Sequence, residues 1–377
     1  MKQLLLSLLG CFLMSFATAQ TIVVLGNTNA NPIFTSVPEL QLSQNVQDIG
    51  FGGIYAVNPR HDYASSNLKN PAMMSSTDRT WNTSLNFSNQ PLIYQGELQV
   101  AYQNKKGLSY GGLIRAYVFP TDRNFIDANN NLITVTENSL TATAGGFIAK
   151  KLGKHWSIGT SLNFLYSKLA GQDLLGLVPT QSFYMDLGVN YHTHFSLKDH
   201  NLELNTGLTI NHIGPKTNYY SPTPIIKGFL PTKMALAAAL TYPVSVNNFK
   251  ISSTFAYQAE KLLVPTPDTL DNDNNAILDY QERSAFSGMI TSFNDGTYYG
   301  EEWQEIAHRF GLEVLVSSEK WVFGLRVGAM NQSPRKGNIR TRSIGLTIGR
   351  NGYLIHGAYQ KDRWRSSVYS LSLSKQI

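Results

Sequence analysis

Between residues 182 and 195 the chain alternates apolar and polar side chains. Phe183, Met185, Leu187, Val189, Tyr191 and Phe195 fall on one side of an extended strand, and Tyr184, Asp186, Gly188, Asn190, His192 and His194 on the other. The pattern returns at 201–211, where Leu202, Leu204, Leu208 and Ile210 oppose Glu203, Asn205, Thr209 and Asn211. Similar stretches lie at 158–166, 234–242, 249–257, 310–316, 321–329 and 369–373. A period of two marks strands with two unlike faces. Candidate strands begin near Trp81, Leu92, Gly107, Ser139, His155, Ser182, Asn201, Pro231, Asn248, Ala307, Lys320, Arg340, Gly352 and Arg365. That is about fourteen, each near the ten residues that a tilted membrane strand needs.

The connections sort into two kinds. QNKKG, LGKH, SLKDHN, PVSVNN, SSEK and RNG are short, and between them fall longer pieces around 120–138, 170–181, 214–230, 264–306 and 331–339, with NQP and KDRW as short exceptions. An even strand count with alternating short turns and long loops predicts an all-β fold, a 14-stranded antiparallel transmembrane β-barrel whose termini face the periplasm. The barrel is expected over 81–377, with a long extracellular loop at 264–306. Residues 20–80 mix Pro, Gly, Ser and Asn without membrane-length alternation and read as an N-terminal hatch packed in the barrel mouth. Trp81, Trp156, Trp321, Trp364, Tyr219 and Tyr220 lie near strand ends, where aromatic girdles form. A terminal aromatic is expected on an exported barrel; Ile377 stands there instead, although Tyr369, Leu371 and Leu373 keep the alternation.

Composition agrees with a membrane wall. Charged residues make up 15% of the chain, against about 25% in typical soluble domains. No run of 18 apolar residues follows the N-terminus, which excludes a helical membrane protein but not a barrel, whose lipid-facing residues occupy every second position. Residues 1–19 carry Lys2, an apolar core from Leu4 to Phe16 and a small-residue Ala17-Thr18-Ala19 site, the pattern of a secretory signal peptide. Cleavage would start the mature chain at Gln20 and remove Cys11, the only cysteine. Disulfides, thiolate metal sites and a cysteine nucleophile are then excluded. Leu8-Leu9-Gly10-Cys11 superficially resembles a lipoprotein box, but the apolar run continues past the cysteine. The formal charge of +6 is spread evenly and does not point to nucleic acid.

Certain motifs carry a family resemblance. PELQLSQNVQDIGFGGIYAV followed by NLKNPAM, with Asn70, Pro71 and Ala72 as its Asn-Pro-Ala element, is similar to the N-terminal hatch of FadL-like barrels. LLVPTP, formed by Leu262, Leu263, Val264, Pro265, Thr266 and Pro267, then SGMITSF, then EEWQEI with Glu301, Glu302, Trp303 and Glu305, resembles the PorV family, FadL-like outer-membrane components of the type IX secretion system. Lys69 stands where the family pattern has Trp before the Asn-Pro-Ala, and SFNDGTYYGEE replaces a Gly-rich variant of the loop. The resemblance implies a 14-stranded barrel in the outer membrane and no enzymatic activity. It implies binding of secreted cargo through its C-terminal signal domain at the translocon barrel, and delivery to the attachment complex with its sortase. The LLVPTP and EEWQEI residues are the expected contact surface.

Within the same loop Asp271, Asp273, Asn275, Ile277, Asp279 and Glu282 fall on positions 1, 3, 5, 7, 9 and 12 of a calcium loop. A hard cation takes six to eight oxygens from such a wound backbone, so Ca2+ is the one candidate cofactor. Ala276 holds the turn position where glycine is usual, and a positive φ there costs about 1 kcal/mol. The bland alternative is a solvated acidic tip. His192, His194 and His212 sit on neighbouring strands, but His212 falls on the apolar face, so the trio reads as lumen or strand-end polar residues rather than a metal cluster. Asp186, Glu203 and Lys250 read as an interior hydrogen-bonded network. Gly52-Gly53 and Gly145-Gly146 read as bulge or packing glycines.

Two rival functions remain. A FadL-like transporter of hydrophobic small molecules would need an apolar cavity under the hatch and a lateral opening. A lipase-like enzyme would need an activated serine, and no nucleophile elbow, P-loop, dinucleotide fingerprint or zinc-protease helix is present.

Overall fold

Fourteen strands close into one antiparallel barrel, β1 to β14 in chain order with β1 paired to β14. They are β1 (Trp81–Gln90), β2 (Ile93–Gln103), β3 (Leu108–Ile126), β4 (Leu132–Leu152), β5 (Trp156–Lys168), β6 (Thr180–Leu197) and β7 (His200–Ile213). The second half is β8 (Lys233–Val246), β9 (Phe249–Leu262), β10 (Ala307–Ser317), β11 (Trp321–Asn331), β12 (Arg340–Arg350), β13 (Tyr353–Asp362) and β14 (Ser367–Gln376). The computed structural model describes residues 31–42, 45–57, 69–75, 80–90, 93–126, 132–169, 179–197, 200–218, 227–275, 277–296, 301–363 and 366–377, without the side chains of 121–137 and His200. The described residues belong to one compact unit, Asn31–Ile377. The signal-peptide reading, Cys11, Tyr219, Tyr220, Ala276 and Trp364 lie outside them. No helix among them is long and apolar enough to cross a membrane.

The wall turns its polar residues inward. In β1 Asn82, Ser84, Asn86 and Ser88 are buried while Leu85 and Phe87 are exposed. In β6 Tyr184, Asp186 and Asn190 are buried while Phe183, Met185 and Leu187 are exposed. A water-soluble fold would bury the second set; this arrangement suits a wall whose outer solvent is hydrocarbon. Trp81, Tyr110, Trp156, Phe249, Trp321 and Tyr353 are exposed where strands leave the short-turn end. Trp81 lies 4.8 Å from Tyr102 and Trp156 lies 4.7 Å from Tyr191, centroid to centroid. These rings form the girdle expected at one membrane interface.

One sequence expectation is corrected here. Residues 120–126 and 132–138 are not loop but belong to β3 and β4, with Pro120 opposite Asn138 and Ile126 opposite Leu132. β2 leaves β3 at Val118, so Pro120 sits on a free edge, where its missing N–H breaks no ladder. The long loop between β9 and β10 holds α2 (Asp279–Glu282), α3 (Ala285–Thr291) and α4 (Glu301–Gln304), following α1 (Val46–Gly50) in the N-terminal segment.

That segment runs around the inside of the wall. The α1 helix packs on β12 and β13, the backbone at 51–52 lies against β10 and β11, and Tyr55 and Ala56 donate their N–H groups to Gln258 of β9 at 3.0 Å. A 3-10 turn, Pro71–Ser75, then packs on β4, β5 and β6. The path lies against inward-facing glycines on β12, β11 and β10 and then on β7, β6 and β5: Gly345, Gly328, Gly311, Gly207, Gly188 and Gly159. A Cβ at Gly207 would stand 1.9 Å from the Ala56 oxygen, and one at Gly328 would stand 2.0 Å from the Gly52 nitrogen. Close backbone approach requires glycine at both.

Candidate functional site

The long loop leaves β9 at Leu262 and returns at Ala307, and its two ends are fastened to each other. The Thr266 N–H donates to Asp295 Oδ2 at 2.8 Å, and its hydroxyl donates to Glu305 Oε1 at 2.6 Å. Lys261 Nζ donates to Glu302 at 2.8 Å and to Glu305. Lys336, from the turn Pro334–Lys336 in the next loop, pairs with Glu301 and Glu305 at 2.8 Å each. The Asp295 and Gly296 N–H groups cap Glu302 Oε1 at 2.9 and 2.8 Å. Asp295, Glu302 and Glu305 bring their oxygens within 4.8 Å of one another, and the Lys261 ammonium fills the place a cation would take among them.

The protonation tendencies follow this packing. Burial pushes Glu302 up, but the Lys261 ammonium and the Gly296 and Asp295 N–H groups outweigh it and hold the carboxyl below the usual glutamate range. Burial pulls Lys336 down, and Glu301 and Glu305 more than restore it. Asp295 is raised, first by burial and then by the Glu305 and Glu302 charges, against the Thr266 N–H.

The ten residues expected to contact partners divide accordingly. Leu263, Val264, Pro265, Thr266, Glu301 and Glu305 are buried in the loop base. Leu262 ends β9, Pro267 and Glu302 are half-buried, and Trp303 stands 76% exposed on α4. Beside the base, α3 shows Phe286 and Ile290 to solvent at 70% and 59%, on one face because they are four apart. Sequence reasoning missed Lys261, Asp295 and Lys336. A lysine directly before the motif was a signal for the first; Lys336 comes from a separate loop and had none.

At the tip the calcium-loop residues gather in part. The Asn275 side-chain amide donates to Asp273 Oδ2 at 2.8 Å and Glu282 Oε1 at 2.7 Å, while its N–H donates to Asp271 Oδ1 at 3.1 Å. The Ile277 N–H donates to Asn275 Oδ1 at 2.7 Å. Asp279 instead accepts from the Asn272 N–H at 3.0 Å and from its side-chain amide. The described left-handed residue is Asn274, with φ 55°. Lys216 ties the tip to the β7–β8 loop through the carbonyls of Gln281 and Arg283.

Asn70, Pro71 and Ala72 are all buried inside the barrel. The Asn70 side chain donates to the Ala56 oxygen at 2.7 Å and accepts from the Ala72 N–H at 3.2 Å, joining two passes of the N-terminal segment.

His212 corrects the face assigned from alternation. The register of β6 and β7 shifts between Met185 and Leu187, and His212 takes φ 58°. An extra residue reverses the parity, so His212 is buried in the lumen with its N–H on Asp186 Oδ1 at 2.8 Å. Asp186 also accepts from Ser161 at 2.7 Å and Asn163 at 3.1 Å, as an interior network. Lys250 lies at the exposed start of β9, outside it.

Residues 103–269, from the end of β2 into the LLVPTP stretch, match the family described as type IX secretion system protein PorV. No curated protein matches the chain. Among solved structures, a TodX deletion mutant described as a monoaromatic hydrocarbon channel is 9% identical, with 88% of this chain and 99% of that one covered at TM-score 0.47. The Pseudomonas putida toluene transporter TodX is 10% identical, with coverage of 87% and 95% at TM-score 0.44. A Pseudomonas aeruginosa FadL homologue is 10% identical, with coverage of 92% and 99% at TM-score 0.39. The chain is a closed β-barrel of the outer-membrane kind, and its residues 103–269 match the PorV family of the type IX secretion system.

Proposed function

We propose that this barrel is a non-enzymatic carrier in type IX secretion. It binds secreted proteins through their C-terminal signal domain at the translocon barrel and passes them to the attachment complex and its sortase. The observation that carries the reading is the construction of the long loop: a base of buried, alternating charges with Phe286, Ile290 and Trp303 exposed beside it. Large exposed aromatics beside a rigid base are the anchors that protein partners use. The match of residues 103–269 to a type IX secretion family supports the same reading. The non-enzymatic reading is supported by the interior acids, which are occupied: Glu97 by Arg115, Glu313 by Arg326, and Glu260 by Arg309 and Lys233. Small-molecule transport is the weaker reading, because the N-terminal segment lies with its backbone against Gly345, Gly328, Gly207 and Gly159 and with side chains against Gly311 and Gly188, and a solute path would have to displace it. Calcium at the tip is part of the proposal, as an ion that orders the loop at extracellular concentrations.

Deleting 269–300 tests the carrier role. The deletion keeps Lys261, Thr266, Glu301, Glu302, Glu305 and Lys336, so the barrel is expected to fold and show heat-modifiable migration on gels. Recovery of secreted proteins at the cell surface is expected to be lost. Trp303→Ala is expected to weaken capture of a signal-domain fusion by detergent-extracted protein about 30-fold, the loss of one anchor worth about 2 kcal/mol. Normal surface delivery in the deletion strain would sink the proposal.

A further inference from the structure

We propose that His192, His194 and Glu203 form a binding site for a divalent transition-metal ion, with Zn2+ the best match, at the short-turn mouth of the barrel. The three residues lie where β6 and β7 approach their connecting turn. His192 and His194 are two apart on β6, so both rings leave the same face. Glu203 is the direct cross-strand partner of His194, and side chains so paired stand side by side. One ligating atom from each residue lies within 4.8 Å of the other two.

The geometry favours a metal over a hydrogen bond. His194 Nδ1 stands 3.9 Å from Glu203 Oε1. That gap is too wide for a hydrogen bond. It is within about 0.5 Å of the ~3.4 Å edge of a tetrahedron whose N and O ligands lie ~2.0–2.1 Å from its centre. The two imidazoles meet nearly perpendicular, 83° between planes and 4.5 Å between centroids. The platform is pinned: the His192 N–H donates to the His155 oxygen at 2.8 Å, and His155 Nδ1 donates to the His192 oxygen at 2.8 Å. His194 is 63% exposed, which leaves an approach from solvent and a fourth position for water.

The donor set selects the ion. Two imidazoles and one carboxylate suit Zn2+ and its neighbours in the first transition row, whereas Ca2+ and Mg2+ prefer oxygen alone. Alternation had set these histidines aside because their third member, His212, fell on the other face. In the structure His212 lies deep in the lumen, and Glu203 completes the site.

The test uses untagged full-length protein in detergent, with heat-modifiable migration to verify the barrel. Zn2+ binding is read by competition with a chromophoric chelator. One Zn2+ per chain is expected, unaffected by excess Ca2+ and retained in Asp271→Ala. His194→Asn and Glu203→Gln are each expected to weaken it by at least about ten-fold, since losing a ligand costs no less than losing an outer-sphere partner. Absence of stoichiometric Zn2+ binding in the wild type, or unchanged binding in both variants, overturns the site.

Discussion

The base and the tip of the long loop both cluster carboxylates and behave in opposite ways. At the base Lys261 and Lys336 alternate with Glu301, Glu302 and Glu305, and the paired groups are largely buried. At the tip Asp271, Asp273 and Glu282 gather around Asn275, Asp273 and Glu282 exposed and Asp271 half-buried, held by local turns. Neighbouring charges hold Glu302 and Lys336 in their ionised forms. Asp273 is raised, by its small loss of solvent and then by Glu282 and Asp271. Unlike charges in a dry site fix the path of the chain, because separating them leaves each uncompensated. Like charges in water fix little. The base is therefore the rigid part, and the tip is the part that can adapt to a partner or an ion.

The largest effect that would break this contrast is expected at Glu305, the acceptor for Lys261, Lys336 and Thr266. Glu305→Ala leaves two buried ammonium groups undercompensated, at a cost of about 3–5 kcal/mol. The expected outcome is local: hydrogen exchange accelerates at 263–267 and 301–306 while the barrel strands stay protected. Glu282→Ala at the tip is expected to change protection by less than about 0.5 kcal/mol. Equal effects at the two sites would erase the distinction between them.

A smaller effect is expected from pH. Glu302 has a folded pKa below its unfolded value, so its contribution is present above that unfolded value, near pH 4.5. It is lost as pH falls through the lower, folded one. Lys336 has a folded pKa above its unfolded value of 10.5. Its contribution is full below that value and is lost only as pH rises through the higher one. Asp295, raised, works against the base as pH climbs out of the acid range. Exchange protection of the base, corrected for intrinsic rates, is therefore expected to be level between about pH 6 and 9 and to fall outside that window. A step near neutrality would mean that some other group governs the base.

Much of the wall was legible because alternation survives in a barrel with its sign inverted. Phe183, Met185 and Leu187 share a face whether that face meets a core or a lipid, so β6 could be placed before its surroundings were known. Pro120 misled because proline usually ends a strand, and only the early departure of β2 makes it harmless there. His212 misled because a positive φ at a histidine leaves no mark in sequence. The loop base was legible as two resemblances, LLVPTP and EEWQEI, but their purpose was not. Most of those side chains turn inward toward each other, and Lys336 reaches them from a loop that no local spacing connects. The inward glycines were visible as letters at polar-face positions, Gly188 among them. Their role appears only when the N-terminal segment is laid against them.

The smallest expected effect sharpens the contrast from the tip. In the structure the Asn275 amide group, rather than a cation, stands between Asp273 and Glu282. For Ca2+ to bind there, that amide must turn its oxygen inward. It then loses two N–H contacts and the 2.7 Å bond that Asn275 Oδ1 now accepts from the Ile277 N–H. The carboxylates gain a counter-ion in exchange, and the crowding that raises Asp273 is relieved. A site that must rearrange before it binds belongs at the weak end of the calcium range, with a Kd of about 10⁻⁴–10⁻³ M. Calorimetry on the detergent-solubilised protein is expected to show such binding, abolished in Asp271→Ala and in Glu282→Ala. Asp279→Ala is expected to matter less, because that carboxylate is held by Asn272 and its position in such loops often ligates through water. At a calcium concentration a few times the Kd the stabilisation is only about 1 kcal/mol. The added order should appear at 271–282 and leave the base unchanged. Equal titrations for wild type, Asp271→Ala and Glu282→Ala would reduce the tip to a solvated acidic turn, and the base would then be the loop's sole source of order.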